Sequence, residues 1–323
     1  MPDAWHRPAG RMSAVAGSPL LIQHFDVFAR SPGGGNPCPI VPAAAGLPAA
    51  WMQGIAAHYG QETGFVLRDE DGWALRFFVP RHEMAMCVHA SVAAVTVLVS
   101  GGLIDGGGLL VRTASGPCRI GWDAADPPRV TVEQQPPVLG APLDLADRLA
   151  DALGLPSGTI DDRLPVRSVS VSRAKLIVPV RRAADVQRIE PDFAALWQLC
   201  RDCGTTGAYV FAPHPDGAAE HVVARQFPVD VGYPEDAATG VAAGALAAYL
   251  ADQARPATEA WLSVDIEQGD AMGRPSRLHG SALAGPDGVR RSTVRGQAQL
   301  RSTEQLDLGT LPAPPPGLVP ELR

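Results

Sequence analysis

At 323 residues and 46% hydrophobic content, the chain is long enough for two domains of ordinary size and apolar enough to bury a core. A net charge of −7 with no basic block argues against nucleic-acid or anionic-membrane binding, which depend on cationic contacts to phosphates. The cysteines are odd in number and scattered, at Cys38, Cys87, Cys118, Cys200 and Cys203, so they form no disulfide framework and point to a reducing cytoplasm.

Residues 1–19 carry Arg, Pro and Gly but no continuous apolar core of signal-peptide length, and read as a disordered leader. Leu20–Ala29 alternates as a first strand. The following SPGGGNPCPIV holds Gly33, Gly34 and Gly35, which permit close backbone approach. From the glycines alone it is a turn before a strand at Pro39–Val41; the functional reading aims the Asn36 amide at a ligand. Leu47–Gly60 places Trp51, Ile55 and Tyr59 at helical spacing behind Pro48, an amphipathic helix. Next, QETGFVL starts a strand with Glu62 at its mouth. A carboxylate there loses solvation and gains pKa, as a general base near neutrality requires, although a glutamate in that position is more often simply solvated.

Trp73–Pro80 is a strand leading into EMAMCVHASVAAVTVLVSGG, Glu83–Gly102, the stretch around which the chain is organised. From Val88 onward it is almost entirely Ala, Val, Leu, Ser and Thr. A helix apolar all round must be enclosed on every side. Its leading end carries Cys87, His89 and Ser91, where unpaired backbone N–H groups and the positive dipole end receive an anion. The length of the run, His89 and the lack of basic flanks favour a buried helix over a membrane span.

Strands at 108–122 and 128–135 close a first domain near 138, and 136–156 is a boundary followed by a helix. Beyond it come strands in 167–180, a helix over 192–204, and strands at 208–213 and 222–230. Cys200 and Cys203 form a CxxC at a helix end without a second ligand pair, a structural pair by context. Cys38 and Cys118 have no supporting partners, and Lys175 is a strand-edge charge. Pro234–Gln253 then repeats the central-helix idea: Glu235, Asp236 and Thr239 open an uncharged Ala-rich run from Gly240 to Leu250. The lead-ins match as well, LRFFVPRHE before the first helix and ARQFPVDVGYPE before the second, each with Arg, Phe, Pro and Glu. Strands at 261–269, 276–285 and 294–309 complete the second half, and 311–323 is a Pro-rich tail, extended or disordered.

The expected fold is therefore α+β: two pseudo-symmetric domains, 20–138 and 139–310, each a barrel-like sheet wrapped around one central apolar helix, with both helix N-termini facing one cleft. In order and separation, FDVFARSPGGGNPCPIV, QETGFV, LRFFVPRHEMAMCVHASVAA and ARQFPVDVGYPEDAATGVAAGALAAYL resemble the phenazine-biosynthesis PhzF family, of the diaminopimelate-epimerase-like fold. The resemblance implies cofactor-free proton transfer on a small carboxylate, an isomerase or epimerase; the namesake enzymes act on 2,3-dihydro-3-hydroxyanthranilate. It makes Glu62 the acid/base, with His89 and Asp236 polarising or relaying, Asn36 beside Gly35 in the substrate-binding turn, and the backbone around Thr239 and Gly240 holding a carboxylate.

Three positions depart from the family pattern: Val88 where a Gly usually precedes the His, Ala237 for the usual Pro, and Val241 where a Ser is common. Val88 brings a side chain toward the site and Val241 removes a hydroxyl contact, which favours a different, less polar or differently shaped substrate. Cys87 matches the helix-start thiol of two-cysteine racemases of this fold, either as acid/base or as packing. The resemblance further implies no cofactor, and no metal cluster stands out; a cytoplasmic homodimer is the expected assembly. The second reading is a non-catalytic binding or interaction protein that has kept the fold.

Overall fold

A computed structural model describes residues 19–311 apart from Ala219 and Asp230, so the expected leader and Pro-rich tail lie outside the described residues but for Pro19 and Leu311. In chain order the first elements are β1 (Leu20–Val27), β2 (Asn36–Val41), α1 (Ala49–Tyr59), β3 (Thr63–Asp69), β4 (Gly72–Phe78), β5 (Glu83–Met84) and α2 (Val88–Ser100). There follow β6 (Gly108–Thr113), β7 (Gly116–Trp122), β8 (Val130–Glu133), β9 (Val138–Leu143), α3 (Ala146–Ala152), β10 (Val166–Ser170) and β11 (Ala174–Pro179). The remainder is α4 (Ala183–Gln187), α5 (Phe193–Asp202), β12 (Gly207–Pro213), β13 (His221–Pro228), α6 (Gly240–Ala254), β14 (Ala260–Gln268), β15 (Ser276–Gly285), β16 (Gly288–Gly296) and β17 (Ala298–Leu306). This is a mixed α+β, sheet-dominated fold with few helices.

The chain divides into two compact units. Of the described residues, the first takes Pro19–Val27, Pro37–Val130 and Gln297–Leu311. In it β17 pairs antiparallel with β1, from Leu20 opposite Leu306 to Val27 opposite Ala298. β1 in turn pairs with β2. Beyond these, β2 runs parallel to β3, β3 and β4 form a hairpin, and β4 continues to β5 and β6. Against β1, β3, β4 and β17 lies α2. Its residues from Val88 to Leu98 are all buried. The β-branched Val88, Val92, Val95, Thr96 and Val97 are indifferent helix formers, so enclosure, not propensity, makes this stretch helical. Each fully buried Val or Leu contributes about 1.5–3 kcal/mol.

The second unit takes Phe28–Asn36 and Thr131–Gly296. Strand pairing runs from β8 to β16, then through β15, β14, β13, β12, β11 and β10 to β9. The pairs β13–β14 and β11–β12 are parallel. Its helix α6 lies against β10, β11, β14, β15 and β16 and is buried from Gly240 to Tyr249. Each central helix is admitted to its sheet by a strand glycine. A Cβ on Gly64 would lie 2.7 Å from Ile40 Cδ1 and 3.2 Å from Ala90 Cβ, and one on Gly280 would lie 2.9 Å from Ala243 O and 3.1 Å from Ala247 Cβ.

The expected continuous boundaries differ from these units at both ends. Residues 298–306, assigned from the sequence to the second half, are antiparallel partners of β1 and belong to the first unit, while Phe28–Asn36 belongs to the second. Lys175 is corrected too: β11 is paired on both sides, by β10 and β12, and the side chain is buried, so it is no edge charge. α4, over 183–187, has no counterpart among the expected elements.

Candidate active site

In the first unit α1 ends at Gly60 in a left-handed conformation. Glu62 follows, immediately ahead of β3. Cys87 is the N-cap of α2, extended, with no side-chain hydrogen bond capping the helix. The lead-in is clamped: Arg76 Nε and Nη2 each donate to one oxygen of Glu83 over 2.7 Å, and the guanidinium lies 5.2 Å from the Phe78 ring. Such a two-point pair orients both partners. Ser91 does not face a ligand; its hydroxyl donates back to the Cys87 carbonyl over 2.8 Å.

Three expected residues come together here. The Cys87 thiol donates to Glu62 Oε2 over 3.1 Å. His89 Nε2 lies 3.4 Å from the same oxygen and 3.6 Å from Cys87 Sγ. Cys87 and His89 are buried, and the Glu62 side chain keeps 13% exposure, enough to meet a ligand. Burial pushes the Cys87 thiol well above its usual pKa, and the charge of Glu62 adds to this, while the backbone N–H of Ala90 pulls the other way. Neutral, Cys87 is a hydrogen-bond donor to Glu62.

Cys38, given no partners by the sequence, belongs to this neighbourhood. It is buried, its thiol lies 3.6 Å from the Glu62 carbonyl, and burial followed by the charge of Glu62 raises its pKa. No local motif announces it, because the contact depends on β2 lying parallel beside β3. Val88 is buried in the first turn of α2.

In the second unit the expected residues assemble differently. Asp236 Oδ1 accepts from Asn36 Nδ2 over 2.6 Å and Oδ2 accepts from Thr239 Oγ1 over 2.5 Å. Asn36 also donates to the Ala238 carbonyl over 2.9 Å. The amide expected to reach for a ligand therefore directs its N–H groups at protein acceptors, because Asp236 and Ala238 lie within its reach. The neighbouring Gly35 accepts at its carbonyl from Arg274 Nε over 2.9 Å. Thr239 is the N-cap of α6, Gly240 its first residue, and Val241 is buried behind them.

Two further residues stiffen this end, and sequence reasoning missed both. Gln268 Nε2 donates to the Asp236 carbonyl over 2.6 Å, and Gln268 Oε1 accepts from Tyr209 over 2.9 Å. They come from β14 and β12, far from the motif, so no spacing betrays them. Burial, then the charge of Asp236, pushes the Tyr209 phenol far up, so it stays a donor. The lead-in repeats the first unit's clamp: Arg225 Nε and Nη2 donate to the two oxygens of Glu235 over 2.8 and 2.7 Å, with Phe227 at 5.0 Å.

Cys200 is buried in a core cluster that Cys203 packs against. A second titratable group among the described residues joins His214 and His221, stacked at 3.8 Å, to Asp216, with Nδ1 contacts of 3.1 and 2.7 Å. Those contacts, that from His221 foremost, hold Asp216 down at about 2. Among the described residues no helix is long and apolar enough to cross a membrane.

A family model described as phenazine biosynthesis-like protein, PhzC-PhzF, matches residues 25–303. The chain belongs to this family. An uncharacterized isomerase of Deinococcus radiodurans is 35% identical over 260 residues, covering 78% of this chain and 83% of that protein. The trans-2,3-dihydro-3-hydroxyanthranilate isomerase of Pseudomonas aeruginosa is 30% identical over 277 residues, 84% of this chain and 94% of its own. The crystal structure of a Bacillus anthracis PhzF-family protein superposes with a TM-score of 0.80 at 25% identity, covering 89% and 98% of the two chains. By its family the chain is an enzyme of the isomerase class.

Proposed function

We propose that the chain moves a proton on a small carboxylate without a cofactor, Glu62 taking the proton from carbon and returning it to another carbon or to the other face. One observation carries this reading: the Glu62 carboxylate stands at the start of α2 with Cys87 Sγ at 3.1 Å and His89 Nε2 at 3.4 Å on one oxygen. Taking the proton leaves Glu62 a neutral carboxylic acid and the C–H electron pair on the substrate, and returning it restores the carboxylate; proton transfer by a positioned group supplies about 10²–10⁴-fold in rate. Cys87 serves as donor to Glu62, and His89 is within reach of both.

Asp236, held by Asn36 and Thr239, serves as a rigid polar frame at the start of α6, and the N–H groups of the first α6 turn are suited to a substrate carboxylate. The isomerase names of the relatives support the reaction class. Val88, Ala237 and Val241, which replace the family's usual Gly, Pro and Ser, support a substrate other than that of the Pseudomonas isomerase. The pseudo-symmetry of the units and a cytoplasmic homodimer belong to the same proposal.

The test is solvent-deuterium incorporation, with the protein and its Glu62→Gln variant incubated in heavy water with amino acids and cyclic dienoic acids and read by mass shift and chirality. Uptake by one compound that is absent in the variant supports the reading and names the substrate class. Binding without uptake across the panel favours a non-catalytic binder that has kept the fold.

A further inference from the structure

A cavity of about 500 Å³ lies within the first unit, at the end of α2 remote from Cys87 and His89. Ser100, on its wall, stands about 16 Å along the helix axis from His89. The volume is that of an ordinary small-molecule pocket. Its body is apolar: Phe25 of β1 and Val97 of α2 are buried, and Leu300 of β17, opposite Phe25 in the strand ladder, is 54% exposed and marks the mouth. The boundaries are pinned by bonds within the protein. Gln297 Nε2 donates to the Pro127 carbonyl over 2.7 Å, tying the Asp126–Pro127 wall to the start of β17, and the Gly101 N–H closes the end of α2 on the Val97 carbonyl over 2.9 Å.

The charge around this space has one sign. Gln23, beside Phe25 on the wall, has its Oε1 shut from water with no hydrogen-bond donor among the described residues. The terminal amide torsion of a glutamine is broad, so this oxygen turns readily to a donor that enters the cavity and regains there the hydrogen bond it lost on leaving water. Asp126 adds an exposed carboxylate. The end of α2 carries the partial negative charge of a helix C-terminus, and its last turn holds no basic residue to offset it. Ser100 and Gln299 are neutral, and Thr96 spends its hydroxyl proton on the Val92 carbonyl. Among the described residues no Lys, Arg or His lines the cavity. An anion finds no counter-charge here, whereas an ammonium finds a carboxylate, an amide oxygen and the negative end of a helix.

We propose that this cavity is a second ligand site, for a small ammonium carried on an aromatic or branched hydrocarbon body. The body lies between Phe25, Val97 and Leu300, and the ammonium points toward Gln23 and Asp126. None of the lining residues belongs to the group of Glu62, Cys87 and His89, so the site does not rest on the proton-transfer reading.

The test is calorimetric titration of the purified chain with tryptamine and with indoleacetate, which share an aromatic body and differ in the sign of their charge. The expected result is one tryptamine bound per chain, with indoleacetate weaker by about tenfold or more. Gln23→Met, similar in length but without the acceptor, weakens tryptamine about tenfold. Asp126→Asn weakens it about threefold, and by less as salt is raised. Leu300→Arg, which sets a positive charge at the mouth, abolishes tryptamine binding, while Glu62→Gln leaves it unchanged. Should Gln23→Met fail to fold, Asp126→Asn and Leu300→Arg alter exposed side chains and decide the matter. No tryptamine binding at millimolar concentration, equal binding of the amine and the acid, or binding that is lost in Glu62→Gln and kept in Leu300→Arg overturns the proposal.

Discussion

At the start of α2 a thiol, an imidazole and a carboxylate stand within 3.6 Å of one another, whereas at the start of α6 the carboxylate of Asp236 accepts from Asn36 on one oxygen and Thr239 on the other. The approach to both is alike. In each unit a strand arginine grips a glutamate through two hydrogen bonds just ahead of the helix and leans on a phenylalanine two residues on. With the framework matched, the first-turn residues make the difference. Cys87, His89 and Glu62 are ionisable side chains in contact with one another, while Asn36, Thr239, Gln268 and Tyr209 are donors and acceptors that keep their protons near neutral pH. On the proposed reading, one helix start moves charge and the other holds a fixed polar shape.

The sharpest way to break that division is to neutralise each carboxylate in turn. Glu62→Gln is expected to lower kcat by about 10²–10⁴ with binding retained. Asp236→Asn keeps the shape but sets an amide against the Asn36 amide, and is expected to raise KM more than it lowers kcat, in steady-state assays on the substrate found by deuterium uptake. An Asp236→Asn loss confined to kcat and as large as that of Glu62→Gln would erase the distinction.

The clamps come next in size. Arg225 and Glu235 expose 9% and 13% of their side chains, and Arg225 Nη1 also donates to the Ile189 carbonyl over 2.8 Å. Arg225→Ala therefore strands a half-buried carboxylate and a buried backbone acceptor, costing about 3–5 kcal/mol in urea denaturation. Arg76, at 17% exposure, is expected to cost less, about 1–3 kcal/mol, when changed to alanine. Equal losses would mean that the second clamp gains nothing from its deeper setting.

Both central helices were legible because a helix enclosed on every side leaves an uninterrupted apolar run, and the Arg, Phe and Glu echo was legible because both clamps span short loops. The family resemblance names Glu62, His89 and Asp236 together and leaves Cys87 as acid/base or packing; the meeting of the Cys87 thiol with the Glu62 carboxylate depends on α2 lying against β3. What stayed hidden depends on which strand lies beside which. The pairing of β17 with β1 joins the ends of the chain, and the exposed face of β17 gives it little apolar pattern. The burial of Lys175, the approach of Cys38 to Glu62, and the Tyr209–Gln268 support under Asp236 all arise from strand neighbours distant in sequence. Asn36 looked like a ligand contact because a side chain after a glycine turn is free to point anywhere until its neighbour two hundred residues on is known.

Helix seating gives a smaller contrast. A methyl added at Gly280 meets the Ala243 carbonyl oxygen at 2.9 Å, part of a helix backbone that cannot yield alone. At Gly64 the nearest atom is Ile40 Cδ1, at 2.7 Å, the tip of a side chain that can turn aside. Gly280→Ala is thus expected to cost about 2–3 kcal/mol and Gly64→Ala about 1 kcal/mol by denaturant midpoint, the usual range for overpacking. The reverse order would show that the first unit's sheet is the more tightly seated on its helix.

The smallest effect is the pH dependence that each buried thiol contributes. Cys38 and Cys87 in the first unit are pushed well above the ordinary thiol value by burial and then by Glu62, whereas Cys200 in the second is pushed by burial only to about 11, with Lys175 among the charges that draw it down. A raised folded-state pKa means that the native protein keeps protons which the unfolded chain gives up above about pH 8.5, so stability from these groups is constant below that pH and declines as pH rises past it. Each thiol contributes a slope of about 1 kcal/mol per pH unit, which for Cys200 ends near 11. Denaturation of the protein, Cys87→Ala and Cys200→Ala at several pH values between about 7 and 10 isolates each slope, since every other alkaline group is common to all three. A shallower decline in Cys87→Ala is expected; one parallel to the parent would mean that water reaches the Cys87 thiol, and with it the carboxylate of Glu62, more freely than the packing around α2 allows.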